Sequence, residues 1–246
     1  MKVHFLGSGA GNFRGSRRQP SSALVDSLLL DCGAGATGRL HDLGALGQVE
    51  AVLISHLHSD HVAGIFDLLL HTVITRRSLP LTVVGPPGLQ GLLQAGFAVH
   101  ETVLAPGDLY PFRVVEGQDL ELKVGPWTIR SVPLSHTVVN LGYLVAREGA
   151  SLFYTGDTRE PSAAEEVKAD YLIHEATYAE RSRSLAQEFG HSTASQAARV
   201  AAKVGARRLF LNHIGDQPNA EVEIPQEAKR VFPETTVVED RASYEL

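Results

Sequence analysis

Between the apolar run Val49–Ile54 and the apolar helix-forming stretch Ile65–Leu70 stands Ser55-His56-Leu57-His58-Ser59-Asp60-His61. No other feature constrains this chain as strongly. Four side chains able to bind metal fall within six positions at a strand-to-helix turn. Residues two apart in extended chain project to the same side, so His56 and His58 share a direction. Asp60 and His61 lie where the chain bends and address a second point in space. Neutral imidazole nitrogen and carboxylate oxygen suit zinc and related divalent ions. A catalytic zinc site takes about three protein ligands and keeps one position open. These four residues, with a few from elsewhere, therefore suffice for two ions.

The missing donors belong at the ends of later strands, where α/β sites collect. His136 ends the run Val132-Pro133-Leu134-Ser135. Asp157 follows Leu152-Phe153-Tyr154-Thr155-Gly156, and His213 ends Leu209-Phe210-Leu211-Asn212. Taken singly, each is more often a satisfied turn or core residue. Together, in this order behind the first cluster, they complete a donor set.

The rest of the chain reads as short β-rich runs alternating with helical stretches, a layered α/β pattern. The runs are Val3–Leu6, Ala23–Asp31, Val49–Ser55, Leu81–Gly85, Thr128–Leu134, Ser151–Thr155, Tyr171–Ile173 and Arg208–Asn212. Helices are expected over Val62–Thr72, Gly88–Gly96 and Thr193–Val204. In the last, Thr193 with Gln196 fits a capping box and Gly205 supplies the stop. No linker or repeat divides the 246 residues, so one domain over 1–246 is expected. The single cysteine, Cys32, excludes an intrachain disulfide and a cysteine-built zinc site. No apolar window approaches a membrane span, and the start, Met1 to Gly7, reads as a first strand rather than a secretory signal. A cytoplasmic protein without a membrane partner follows. The net charge of −6 argues against a generic nucleic-acid binder.

His56-x-His58-x-Asp60-His61 followed by His136, Asp157 and His213 resembles the metallo-β-lactamase superfamily over nearly the whole chain. The resemblance implies a four-layer αββα sandwich with the site along one edge. It implies two divalent metal ions, zinc first and manganese second. His56, His58 and His136 would hold one metal, Asp60, His61 and His213 the other, and Asp157 would bridge them.

Within the superfamily, Leu6-Gly7-Ser8-Gly9-Ala10-Gly11 and Leu30-Asp31-Cys32-Gly33 resemble the opening strands of ribonuclease Z, the tRNA 3′-processing endonuclease. His174-Glu175-Ala176-Thr177-Tyr178 and His191-Ser192-Thr193-Ala194 resemble two further motifs of that family. There the glutamate of the first pairs with the histidine of the second, here Glu175 and His191. A carboxylate on one ring nitrogen fixes the tautomer and lets the other nitrogen donate a proton. The implied activity is cleavage of RNA phosphodiester bonds, with precursor tRNA as partner and a metal-bridged hydroxide as nucleophile. Asp60 would ligate metal and also hold the nucleophile's proton. The resemblance further implies a homodimer.

The sequence also departs from that family. Only 21 positions separate His136 from Asp157, too few for the family's long basic arm. The substrate loop is altered, and the glutamate usual after Asp-Cys-Gly is Ala34. Arg14, Arg17 and Arg18 still stand in the glycine-rich loop after the first strand and could grip phosphates as charge-assisted forks. Two rival activities stay open on the same metals. One is a phosphodiesterase on small substrates such as cyclic nucleotides; the other is an ester, thioester or lactone hydrolase. A non-enzymatic binding module would require a broken donor set.

Overall fold

Leu28 and Leu30 turn their side chains one way and Leu29 the other, and this alternation runs through the interior strands. The computed structural model describes residues 1–11, 19–99, 112–160 and 163–246. Arg14, Arg17 and Arg18 lie outside the described residues.

The first sheet contains β1 (Lys2–Gly7), β2 (Ser22–Val25), β3 (Leu28–Leu30), β4 (Ala51–Leu53), β5 (Leu81–Gly85) and β6 (Phe112–Glu116). The second contains β7 (Glu121–Val124), β8 (Trp127–Leu134), β9 (Asn140–Arg147), β10 (Ala150–Tyr154), β11 (Tyr171–Glu175), β12 (Arg208–Asn212) and β13 (Thr235–Val237). A last strand, β14 (Ser243–Glu245), returns to the first sheet beside β1, which gives each sheet seven strands among the described residues.

The alternation sorts apolar side chains into three layers. Phe5, Leu28, Leu30, Leu53, Trp127, Tyr143, Leu152, Ile173 and Phe210 fill the space between the sheets. Leu29, Val52, Ile54 and Val83 face outward under α1 (Ala36–Asp42), α2 (Ser59–Val62), α3 (Ile65–Ile74) and α4 (Leu89–Val99). On the far side, Phe153, Leu172, Leu209 and Leu211 meet α6 (Ala194–Val204) and α7 (Ala220–Val231). Ahead of α6 comes α5 (Arg183–Phe189). The order is αββα, as expected. Burial of a large aliphatic or aromatic side chain contributes roughly 1.5–3 kcal/mol, so these layers dominate the stability. No helix among the described residues is long and apolar enough to cross a membrane.

Two expected elements break. The run Ala23–Asp31 is a hairpin of β2 and β3, because Asp26 adopts φ 49° and reverses the chain. The expected helix Val62–Thr72 is split into α2 and α3. The Gly64 N–H goes to the Cys32 carbonyl at 2.8 Å, and the Cys32 N–H reaches the His61 carbonyl at 2.8 Å. These bonds tie the end of β3 to the histidine turn. The capping box Thr193/Gln196 and the Gly205 stop are present on α6.

Between β9 and β10 the chain reverses through only Glu148 and Gly149, with Arg147 opposite Ala150. Both turn residues have positive φ, 51° and 76°, the conformation that a two-residue hairpin with correctly twisted strands requires. No arm is inserted there.

Candidate metal centre

The seven predicted donors converge from the C-terminal ends of four strands and the first turn of one helix. His56 and His58 follow β4, Asp60 and His61 form the first turn of α2, His136 follows β8, Asp157 follows β10, and His213 follows β12. His56 Nε2 and His136 Nε2 stand 3.0 and 3.3 Å from His58 Nδ1. Asp157 Oδ2 lies 3.3 Å from His61 Nε2, 3.4 Å from His213 Nε2, 3.7 Å from His56 Nε2 and 4.0 Å from His136 Nε2. Asp60 Oδ2 lies 3.7 Å from His61 Nε2 and 3.5 Å from His213 Nε2. Two donors held by one tetrahedral zinc at about 2.0 Å stand roughly 3.3 Å apart. The spacing therefore fits two donor groups, His56/His58/His136 and Asp60/His61/His213, with the Asp157 carboxylate reaching both.

Hydrogen bonds behind the rings fix which nitrogen is bare. Ser55 Oγ donates to Asp31 Oδ2 at 2.7 Å, so it can accept the Nδ1–H of His56 at 3.0 Å. His61 Nδ1–H donates to Asp31 Oδ2 at 2.7 Å, and His136 Nδ1–H to the Gly190 carbonyl at 2.7 Å. Thr177 Oγ donates to Glu175 Oε2 at 2.7 Å and accepts from His213 Nδ1 at 2.9 Å. Each partner forces the proton onto Nδ1 and leaves Nε2 free as a lone-pair donor. His58 is the exception and presents Nδ1.

The fit to metal rests on atoms that nothing in the protein satisfies. His61 Nε2, His213 Nε2 and Asp157 Oδ1 are buried without a hydrogen-bond partner. Burial of such atoms is costly, and five imidazoles with two carboxylates are a donor set for divalent ions of the zinc type. The electrostatics agree. Burial holds His56 and His136 below the usual imidazole value and hence neutral. Burial would also lower His61, yet Asp157 and Asp31 raise it. Burial would raise Asp157, but His213 and His61 bring it below the usual carboxylate range. A cation bound between Asp157 and these rings would take over that attraction.

Glu175 and His191 meet beside the cluster. His191 Nδ1 is 2.9 Å from Glu175 Oε1. The carboxylate also accepts the N–H groups of Thr158 and Thr177, each at 3.0 Å. Burial lowers His191, but the Glu175 carboxylate outweighs it, and His191 is raised to about 9. His174 turns its ring away, with Nδ1 on the Glu175 carbonyl at 2.7 Å. Ala10, Gly11, Tyr178, Gly215, Asp216 and Gln217 complete the walls of a cleft of about 270 Å³ in front of the donors.

Sequence reasoning missed the residues behind the donors, namely Asp31, Ser55, Thr177 and Tyr154, whose hydroxyl donates to Asp31 Oδ2 at 2.5 Å. All four stood inside runs quoted above, Asp31 and Thr177 in motifs that resemble ribonuclease Z, but none was given a role there. Asp31 and His213 both adopt positive φ, 54° and 52°, uncommon for residues other than glycine and costly unless the surroundings enforce them. Backbone bonds on both sides of Ile214, to Ser8 and Ala10, hold the His213 turn in place.

Comparison with known proteins agrees with this geometry. The family described as Beta-lactamase superfamily domain matches residues 27–214. Ribonuclease Z of Geobacillus kaustophilus is 31% identical, over 100% of this chain and 99% of that protein. The alignment runs over 306 positions, so the relative has long segments with no counterpart in these 246 residues. The metallo-β-lactamase fold protein YhfI of Bacillus subtilis superposes with a TM-score of 0.81 at 23% identity, covering 99% and 98% of the two chains. The short form of human tRNase Z superposes with a TM-score of 0.80 at 24% identity, covering 100% and 99%. The chain is thus a metal-dependent hydrolase and belongs to the metallo-β-lactamase superfamily, in its ribonuclease Z branch.

Proposed function

We propose that this protein is a dinuclear zinc phosphodiesterase that cleaves RNA, with the 3′ end of precursor tRNA as its substrate. The observation that carries this reading is the Glu175–His191 pair at 2.9 Å beside the seven donors. Full-length likeness to curated ribonuclease Z supports it.

Bound at the two donor groups, the ions would supply Lewis acidity, lowering the pKa of a water and neutralising charge on the phosphoryl oxygens. The protein's own residues do the rest. Asp157 reaches both donor groups and sets their separation. Asp60 Oδ2, at the cleft wall between His61 and His213, can accept a hydrogen bond from the attacking water and orient it. His191 keeps Nδ1 on Glu175, so the proton at Nε2 is the one available to the departing oxygen. A carboxylate behind an imidazole stabilises the protonated ring and holds it in place. An ester or thioester hydrolase has less need of such a donor, because its leaving group departs more readily.

A second reading has its own observation. The two-residue turn at Glu148-Gly149 leaves no arm to clasp a folded RNA, which favours small diesters such as cyclic nucleotides. One panel separates the readings: precursor tRNA, a cyclic nucleotide and an aryl phosphodiester offered to zinc-loaded enzyme at low salt. Cleavage of precursor tRNA at its 3′ side supports the proposal. Efficient turnover of the cyclic nucleotide with the tRNA left intact defeats it.

A further inference from the structure

Among the described residues, Arg159 is a charged side chain without a charged partner. Its guanidinium makes no hydrogen bond or ion pair among the described residues, and its Nε is buried and unsatisfied. The adjacent carboxylate is already taken, since Glu160 pairs with Arg199 at 2.9 Å. An arginine N–H left unmade in a half-buried place is expensive, and the chain as a whole is acidic. A dianionic or monoanionic group from outside would satisfy it.

Its position says which group. The Arg159 N–H is bonded to the Ser135 carbonyl at 2.9 Å, and Thr158 before it donates to Glu175. The guanidinium lies near Gly190, the residue that precedes His191, and Thr137, which follows His136, approaches the same glycine. A methyl group placed on Gly190 would stand 3.1 Å from an Arg159 terminal nitrogen and 2.8 Å from His136 Nδ1. The arginine therefore sits beside the two loops that carry His136 and His191. The same two loops carry exposed apolar side chains: Val138 and Val139 after His136, and Phe189, 51% exposed, just before Gly190.

We propose that Arg159 and Phe189 form a subsite for a nucleotide adjoining the scissile bond of a single-stranded polynucleotide. The guanidinium takes a phosphate, and Phe189 offers a ring on which a base stacks, with Val138 and Val139 as apolar flanks. A cationic group with an adjacent aromatic is the usual pairing for single-stranded nucleic acid. The subsite rests on the phosphodiesterase reading above and narrows its substrate to a strand longer than one diester.

The test compares kcat/KM of the zinc-loaded protein on a short single-stranded oligoribonucleotide and on bis(p-nitrophenyl) phosphate, which carries a single phosphate and no neighbouring nucleotide. Arg159→Ala and Phe189→Ala should each lower the ratio of the two values by roughly tenfold or more, through KM for the oligonucleotide. Arg159→Lys should recover part of the loss. The log affinity of the oligonucleotide against log salt should flatten by about 0.7 in Arg159→Ala, one phosphate contact on a single strand. Ratios that stay at the wild-type value overturn the subsite and leave Arg159 as support for its loop. If the wild-type protein hydrolyses neither diester, the functional reading fails, and anisotropy of a labelled phosphorothioate oligonucleotide decides the subsite alone. Weaker binding in both variants then supports it, and unchanged binding overturns it.

Discussion

The Asp31 carboxylate accepts the Nδ1–H of His61 at 2.7 Å with neither side chain exposed to solvent. Asp31 also receives the Ser55 N–H at 2.6 Å, the Ser55 hydroxyl and the Tyr154 hydroxyl. It thus sets the tautomer of His61 directly and that of His56 through Ser55. Asp31→Asn should weaken metal affinity by roughly 10–100-fold, the usual cost of losing a partner behind a ligand. Competition with a chromogenic chelator measures it, and unchanged circular dichroism shows that the fold survives. Wild-type affinity in a folded variant would refute the role.

Asp157→Ala should empty both donor groups rather than one, because Asp157 Oδ2 lies within 4.0 Å of histidines from each. Elemental analysis of the purified variant reads this as loss of most of two zinc ions per chain. One retained equivalent would confine Asp157 to a single ion.

His191→Ala should lower kcat on diesters with an alkoxide leaving group by about 10²–10⁴, the scale of general acid catalysis, and less on aryl diesters. Glu175→Ala should act in the same direction more mildly, and the double variant should be non-additive.

The same pair predicts a pH profile. Glu175 raises His191 to about 9, and the charge of bound cations draws it down. The acid form is lost as pH rises through that value, so kcat should fall on the alkaline side below pH 9. Glu175→Gln removes the carboxylate that raises His191 and should move the descending limb to lower pH. A limb that stays put in this variant would mean that another group donates the proton.

Cys32 is fully buried, and burial pushes its thiol above the usual range. Alkylation by iodoacetamide should therefore be negligible in the native protein and complete in denaturant. Rapid labelling of the native state would contradict the packing around the end of β3.

Gly190→Ala should cost about 1–2 kcal/mol for a side chain in left-handed backbone, since Gly190 closes α5 at φ 80°. The added methyl also presses on His136 Nδ1. Thermal denaturation and metal titration should both register the change.

The donors were legible because metal chemistry admits few residue types, and His56-x-His58-x-Asp60-His61 concentrates them. The shell behind them was not. Ser55 and Thr177 are ordinary hydroxyls in sequence; the pairing of β3 with β4 sets Ser55 on Asp31 behind His56, and the pairing of β11 with β12 brings Thr177 to His213. Short apolar runs showed the interior strands, yet β9 went unread because Gly142 interrupts its apolar pattern. The helix α7 went unread with Pro225 inside it. The hairpin at Asp26 was hidden inside one continuous apolar run, where register depends on a turn that periodicity does not report. Arg159 carried no signal in sequence, because only the folded chain shows that its guanidinium has no partner among the described residues.

The Glu148-Gly149 turn has a consequence for how this lineage could change its diet. It lies at the far end of β9 and β10 from His136 and Asp157, roughly 25 Å away at strand rise. A module spliced between those two residues would emerge from the sheet's opposite edge, leaving every donor spacing and the Glu175–His191 contact untouched. Grasping large RNA and breaking a phosphodiester are therefore separable inheritances: the first can be gained or shed at one tight corner of the chain while the second stays whole.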